Sequence, residues 1–273
     1  MPSQQHEFGG DWTSEKLERV RKYLAAYATI MNKQKFRFAY IDAFAGTGYR
    51  ALKQDDDPHE LMFPEFAEKD TIAFLEGSAR IALQIRPRFN KYIFIEKDVE
   101  RFAELARLKS DFPEVQNDIV LVNADANAYL NDLCLNRRWD KHRAVLFLDP
   151  YGMQVTWETI AAIAETKAID LWYLFPLGVA VNRLLKKDGR IDEPLRRRLD
   201  QIFGTSDWYE VFYQTKTVPG LFGEQTATQK VVTAEAIGQY FVSRLKKQFA
   251  GVADNPLPLY NAKSNPLYLL CFA

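Results

Sequence analysis

Four apolar runs that each close on an acid constrain this chain more than any other feature. FAYIDAF (38–44) carries Asp42, KYIFIEKD (91–98) carries Glu96, DIVLVNADAN (118–127) carries Asp125 and AVLFLDPYG (144–152) carries Asp149. A fifth run, IDLWYLFPLG (169–178), ends on Phe175, Pro176 and Gly178. Runs apolar at consecutive positions, rather than at alternate ones, suit strands covered on both faces in a parallel sheet. Helical spacing fills the gaps between them. Leu17, Val20, Leu24, Tyr27, Ala28 and Met31 define a first helix, capped at Thr13 or Ser14 and running to about Asn32. Further helices are expected over about 71–87, 99–109, 126–134 and 156–165. Five alternations of strand and helix predict a doubly wound α/β sheet.

The end of the chain departs from that rhythm. LPLYN and PLYLLCFA, joined by AKSNP, predict a terminal hairpin whose last strand runs antiparallel to its neighbour. The expected fold is a Rossmann-like seven-stranded sheet with an antiparallel last strand, plus an inserted, mostly helical subdomain. Four segments follow: an N-terminal arm and helix (1–35), a Rossmann-like cofactor-binding core (36–178), an inserted substrate or partner subdomain (179–227) and the end of the core (228–273), opening on a long helix over 228–249. Residues 50–68, with the acidic run DDDP and His59, read as a long loop, of the kind that forms lids or specificity insertions or else is merely disordered.

Open α/β sheets bind ligands outside the carboxyl ends of their strands, where the four acids collect. Gly46 and Gly48 follow Asp42 at the turn out of the first strand. They do not complete a dinucleotide fingerprint, because residue 51 is alanine, and no G-K-[ST] of a phosphate loop occurs. Asp42 would also repel a polyphosphate and favour a ligand with a positive charge, such as an amine or a sulfonium. Acids at strand ends have a structural alternative, the capping of the next helix, which the occurrence of four together disfavours.

The ordered segments DAFAGTG, IEKD, NADAN and LDPYG resemble a class I S-adenosylmethionine-dependent methyltransferase, over roughly 36–178 and 228–273. The match looks closer still to the three-Cys-motif partner (TcmP) family, with its Y-I-D-x-F-A-G-x-G start and L-D-P-[FY]-G fourth strand. The resemblance implies S-adenosyl-L-methionine as cofactor. Asp42, Ala45, Gly46 and Gly48 would hold its methionine part, Glu96 its ribose hydroxyls, and Asp125 would lie near the adenine. Asp149, Pro150 and Tyr151 would be the catalytic set. Amino methyltransferases of adenine and cytosine carry a related motif there with a second proline, which D-P-Y-G lacks. Asp149 could accept a hydrogen bond from an amino group and aim its lone pair; Tyr151 could stack on a base or wall the cofactor pocket. Alternatively, Asp149 caps the helix near Thr156 or braces the Pro150 turn.

Phe175 and Pro176 end the fifth strand on the expected substrate side. Arg183, Lys186, Lys187, Arg196, Arg197 and Arg198, with Arg190, crowd the insertion. With Trp208, Tyr209 and Tyr213 they could form a backbone and base platform for nucleic acid. The alternative is a solvated helix face paired with Asp188, Asp192, Glu193 and Asp200. Charge as a whole decides nothing here, since 36 Lys and Arg balance 36 Asp and Glu; broad capture of a polyanion is unsupported.

Two cysteines, Cys134 and Cys271, and three histidines are scattered without metal-ligand spacing, so no metal is expected, and no cysteine sits at a strand end to form a covalent adduct. The N-terminus lacks a signal peptide and no stretch approaches membrane length, so the expectation is a cytoplasmic protein without membrane contact. The expected activity is methyl transfer to an amino nitrogen of an RNA or DNA base. The alternatives are a small-molecule or protein methyltransferase, and a non-catalytic binding protein that keeps the cofactor fold and works with a protein partner.

Overall fold

Apolar strands become the middle of a sheet when both their faces are covered, and the computed structural model, which describes residues 11–46, 79–150, 152–220, 223–260 and 264–273, has this arrangement. Its seven-stranded sheet runs β3-β2-β1-β4-β5-β9-β8. The strands are β1 (Arg37–Asp42), β2 (Lys91–Glu96), β3 (Ile119–Asn123), β4 (His142–Leu148), β5 (Ile169–Phe175), β8 (Leu257–Tyr260) and β9 (Pro266–Phe272). β1 pairs in parallel with β2 and β4, and β2 with β3. β9 runs antiparallel to β5 and to β8. This is the expected seven-stranded sheet with its reversed last strand. Burial follows sheet position: β4 is buried along its last five residues, whereas β3 is buried only at Ile119. An edge strand has one neighbour and one covered face, so Val120 can stay exposed.

The chain divides into two compact units, residues 1–126 with 138–147 and residues 127–137 with 148–273. The first holds β1–β4 as far as Phe147. Helix α1 (Asp11–Met31) starts slightly ahead of the expected cap. It packs Tyr27 against Phe38 and Phe89, with Tyr27 and Phe89 stacked at 6.1 Å. Of the helix expected over 71–87, residues 79–84 are helical, 85–87 are not, and 71–78 lie outside the described residues, as do the 50–68 loop and residues 1–10. The helix expected over 99–109 breaks at Ala106 into α2 (Val99–Leu105) and a second, short helix, Arg107–Asp111.

The second unit contains α3 (Ala126–Asn136) from Asn127 onward, α4 (Trp157–Glu165), α5 (Glu193–Phe203), α6 (Trp208–Phe212) and α7 (Ala234–Leu245). Phe241 of α7 is its centre, stacked on Phe175 of β5 at 3.9 Å and edge-on to Tyr173 and Trp157. Two features differ from the sequence-based expectation. The insertion carries, beside its helices, a second sheet, the hairpin of β6 (Tyr213–Gly220) and β7 (Gly223–Lys230). The helix expected over 228–249 therefore starts later, at Ala234, where Thr233 accepts the Ala236 N–H at 3.2 Å; residues 228–230 belong to β7. Helical periodicity read through 228–233 did not register that the β-paired Thr228–Lys230 belong to a strand.

Gly204 ends α5 in the left-handed conformation, φ +66°, and a Cβ there would lie 2.0 Å from Cγ of Trp157. Arg244 covers the same helix end, donating to the carbonyls of Phe203 and Gly204. Gly204→Ala combines an unfavourable φ with overpacking and should cost about 2–4 kcal/mol, read as a lowered denaturant midpoint at unchanged m-value.

Candidate functional site

A carboxylate is rarely buried without a reason, because it must surrender its hydration. Among the described residues the buried charged side chains are Asp42, Glu96 and Asp149, at 3%, 7% and 8% exposure. All three stand at the carboxyl ends of parallel strands: Asp42 closes β1, Glu96 closes β2 and Asp149 follows β4 directly.

In the first unit the chain around Asp42 and Glu96 is stitched together by the backbone. Asp42 Oδ1 accepts the Phe44 N–H at 3.3 Å, turning the chain out of β1. Ala43 then donates to the Phe147 carbonyl, and Ala45 donates across to the Ile95 carbonyl at 3.0 Å. That last bond sets Ala45 and Gly46 beside the end of β2, next in sequence to Glu96. Glu96 Oε1 accepts the Asp98 N–H at 2.8 Å, while Asp98 caps α2 through the Arg101 N–H. Asn123, the last residue of β3, clamps the same corner by donating to the carbonyls of Glu96 and Lys97 at 2.9 and 3.0 Å.

Asp125 differs from the other acids. β3 stops at Asn123, so Asp125 lies two residues past its strand, half-exposed, with an ion pair to Lys97 at 3.5 Å. Sequence reading extended the strand through it and passed over Asn123, a strand-end amide whose signal was its position beside the acids. Gly48 and Tyr151 lie outside the described residues. Asp149 is not the cap of the following helix, because Thr156 fills that role: its hydroxyl accepts the Thr159 N–H. Pro150 is buried beside it in the chain.

The carboxylate acceptors of the first unit suit a cofactor that is cationic and carries hydroxyls. Carboxylates accept hydrogen bonds and attract positive charge, and S-adenosylmethionine offers a ribose diol, an ammonium and a sulfonium. Asp42, Ala45, Gly46, Glu96 and Asp125 would hold it. No group of three or more His, Cys, Asp or Glu positioned to hold a metal occurs among the described residues, and none of their helices is long and apolar enough to cross a membrane. Burial raises the Cys134 thiol to about 12, far from a neutral-pH thiolate.

In the second unit Phe175 is fully buried against Phe241, and Pro176 is buried too. The basic run is partly neutralised: Arg197 pairs with Glu193 at 3.4 Å, Arg190 with Asp188 at 3.7 Å and Lys186 with Asp192 at 3.9 Å. Arg196 lies over the Tyr209 ring at 4.6 Å, and Arg183 and Arg198 hold interactions of their own. Trp208 and Tyr213 do not offer stacking faces. Trp208 is wholly buried and donates to Asp200 at 2.7 Å; Tyr213 is 5% exposed. Lys230, which sequence reading did not single out, is half-buried at the root of the hairpin.

The strand order, with one reversed strand, makes the fold resemble that of S-adenosylmethionine-dependent methyltransferases. Solved structures similar to this chain include the protein LPL1258 from Legionella pneumophila (15% identity, 88% of this chain and 93% of that one, TM-score 0.40), a conserved hypothetical protein from Streptococcus pyogenes (16%, 75% and 94%, 0.32) and a methyltransferase from Geobacter sulfurreducens (13%, 81% and 90%, 0.31). The fold assignment rests on the strand order and not on these superpositions. No family model matches the chain, and no curated protein matches it. The expected place in the three-Cys-motif partner family is therefore corrected: no family model supports it, and the chain has two cysteines, both buried and free. Short motifs at strand ends are imposed by the fold itself, and sharing them does not single out one family within it.

Burial raises the Glu96 carboxyl above its ordinary value, against the lowering by the Asp98 N–H. A raised folded-state pKa means that the native protein binds more protons than the unfolded chain, so this group's contribution is present below the ordinary glutamate value and lost as pH rises through the folded one. Glu96→Gln, which keeps an oxygen for Asp98, should melt at a higher temperature than the wild type at pH 7. The gap should close as pH falls below about 4.3, the unperturbed glutamate value.

Proposed function

We propose that this protein is an S-adenosylmethionine-dependent methyltransferase whose acceptor is an amino nitrogen of a nucleic acid base. The observation that carries the reading is the placing of every buried charged side chain among the described residues at a strand carboxyl end. Such a set has a heavy desolvation cost, which a cationic, hydroxyl-bearing cofactor would offset.

The cofactor, when bound, supplies an electrophilic methyl group on its sulfonium. Asp42 with the Ala45–Gly46 turn receives the amino-acid end, because a buried carboxylate favours the ammonium and a glycine lets the ligand approach the main chain. Glu96 accepts from the ribose hydroxyls, and Asp98 and Asn123 hold its corner in place. Asp125, half-exposed, borders the base. Asp149 with Pro150 acts on the acceptor: the carboxylate accepts a hydrogen bond from the amino group and directs the nitrogen lone pair. Methyl transfer asks chiefly for alignment and exclusion of water, which these groups can supply without a metal.

Two substitutions test the reading. Glu96→Ala should weaken S-adenosylmethionine by about 2–3 kcal/mol, roughly 30- to 150-fold in Kd, measured by titration calorimetry on protein of unchanged circular dichroism; an unchanged Kd removes the ribose from Glu96. Asp149→Ala should keep that Kd within a few-fold and lower kcat by roughly 10²-fold or more, in a labelled-methyl assay on transfer RNA, ribosomal RNA and DNA. Equal loss of binding and turnover would assign Asp149 to structure.

A further inference from the structure

The insertion contains a turn whose backbone is fastened from one side. The carbonyl of Lys186 accepts the Tyr213 hydroxyl at 2.9 Å, that of Lys187 accepts the Lys230 N–H at 2.9 Å, and that of Gly189 accepts the Tyr209 hydroxyl at 3.0 Å. Gly189 has φ +71°, and a Cβ there would lie 2.7 Å from Thr228 Cγ2 and 2.9 Å from the Tyr209 oxygen. The root of the hairpin and the α6 aromatics thus grip residues 186–189 so closely that only glycine fits, and Lys186 and Lys187 are left exposed.

Strand alternation decides which hairpin residues share that side. Tyr213 pairs with Lys230, Thr215 with Thr228 and Thr217 with Thr226, all on the face that meets Gly189. Lys216, paired with Ala227, is on the opposite face. Lys230 Nζ donates to Asn182 Oδ1 at 2.6 Å and to the Asn182 carbonyl at 3.4 Å. Neither acceptor carries a charge, and neither Lys187 nor Lys230 forms an ion pair among the described residues. Desolvation lowers the Lys230 ammonium's pKa, as expected of a cation without an anion. Because Asn182 Oδ1 faces the ammonium, its amide N–H groups remain as donors. The exposed Thr215 and Thr228 hydroxyls meet at 3.1 Å on the same face.

From this grouping we propose that the 186–190 turn, Asn182 and the Lys230 face of the hairpin dock the phosphodiester backbone of a single-stranded nucleic acid, with Lys187 and Lys230 each neutralising a phosphate. The inference rests on the nucleic-acid acceptor reading and deepens it. Two cations without carboxylate partners, beside neutral donors and one carboxylate, Asp188, whose charge Arg190 answers at 3.7 Å, match a ligand with one full charge and two free acceptor oxygens per unit. The burial of Trp208 and Tyr213 withdraws them from base stacking, so backbone charge and hydroxyl contacts carry the recognition. The balanced net charge of the chain restricts this to a local contact.

The test is the salt dependence of binding of a labelled 20-nucleotide single-stranded RNA to the full chain, read by fluorescence anisotropy. Removing two phosphate contacts should flatten the slope of log K against log salt by roughly 1.4 in Lys187→Ala/Lys230→Gln. Lys230→Arg should restore half of that loss when paired with Lys187→Ala, and Lys216→Ala, on the opposite face, should leave the slope unchanged. If the double variant does not fold, Lys187→Ala alone, an exposed position, should flatten it by roughly 0.7. The proposal is overturned if the wild type does not bind, if Lys216→Ala flattens the slope equally, or if polyglutamate at equal charge displaces the RNA as well as unlabelled RNA does. Cofactor heat measured on the same preparations separates the two readings. Cofactor binding without RNA binding overturns the docking surface alone. RNA binding with the expected slope changes and no cofactor heat upholds the surface and overturns the methyltransferase reading.

Discussion

A carboxylate at the mouth of a buried strand loses its water and has to be given partners by the chain around it. In this protein that requirement organises the end of the sheet. Asp42 turns its own backbone out of β1, and Glu96 is met by the amide of Asp98, which in turn caps the next helix. Asn123 reaches from β3 to the carbonyls of Glu96, which ends β2, and Lys97, which follows it. These bonds use backbone groups that a strand end would otherwise leave unsatisfied. The acids thereby shape the loops that border them, and any ligand there meets a corner already set.

The second unit is held by a different device. Its core is a continuous aromatic cluster, in which Phe241 stacks on Phe175 and meets Tyr173, Trp157 and Phe203. Large rings bury much area at small entropic cost and fix one another's orientation. The insertion joins this cluster through Phe203, Trp208 and Phe212. Aromatic residues that composition alone would offer to a ligand are therefore spent on packing, and the polar, basic side of the insertion is what solvent meets.

Much of the sheet was legible because its central strands are apolar at consecutive positions and short links separate the last two. The same reasoning located Asp42, Glu96 and Asp149, since a charge at the close of an apolar run breaks the pattern visibly. It misplaced the end of β3 by two residues, because an edge strand lacks the continuous burial that marks its ends. It passed over the β6–β7 hairpin. Its strands read YQTKTVPG and GEQTATQK, in which neither face carries the regular run of apolar residues that announces a strand.

Sequence by itself determined the alternation of strands and helices, the antiparallel hairpin at the end of the sheet and the acids at the strand ends. All of these are local: an apolar run, a turn of a few residues or a charge breaking a pattern is complete within about ten residues. Only the tertiary structure decided the partners that lie far off in the chain. Arg190, Arg197 and Lys186 find carboxylates close by in the sequence, a pairing within reach of sequence reading, whereas the setting of Lys230 against Asn182, 48 residues away in the chain, is tertiary. It also decided that Trp208 and Tyr213 are interior while Lys187 faces solvent. Pairing and exposure depend on which distant segments arrive at the same place, and one residue's register in a strand selects the face on which its charge stands.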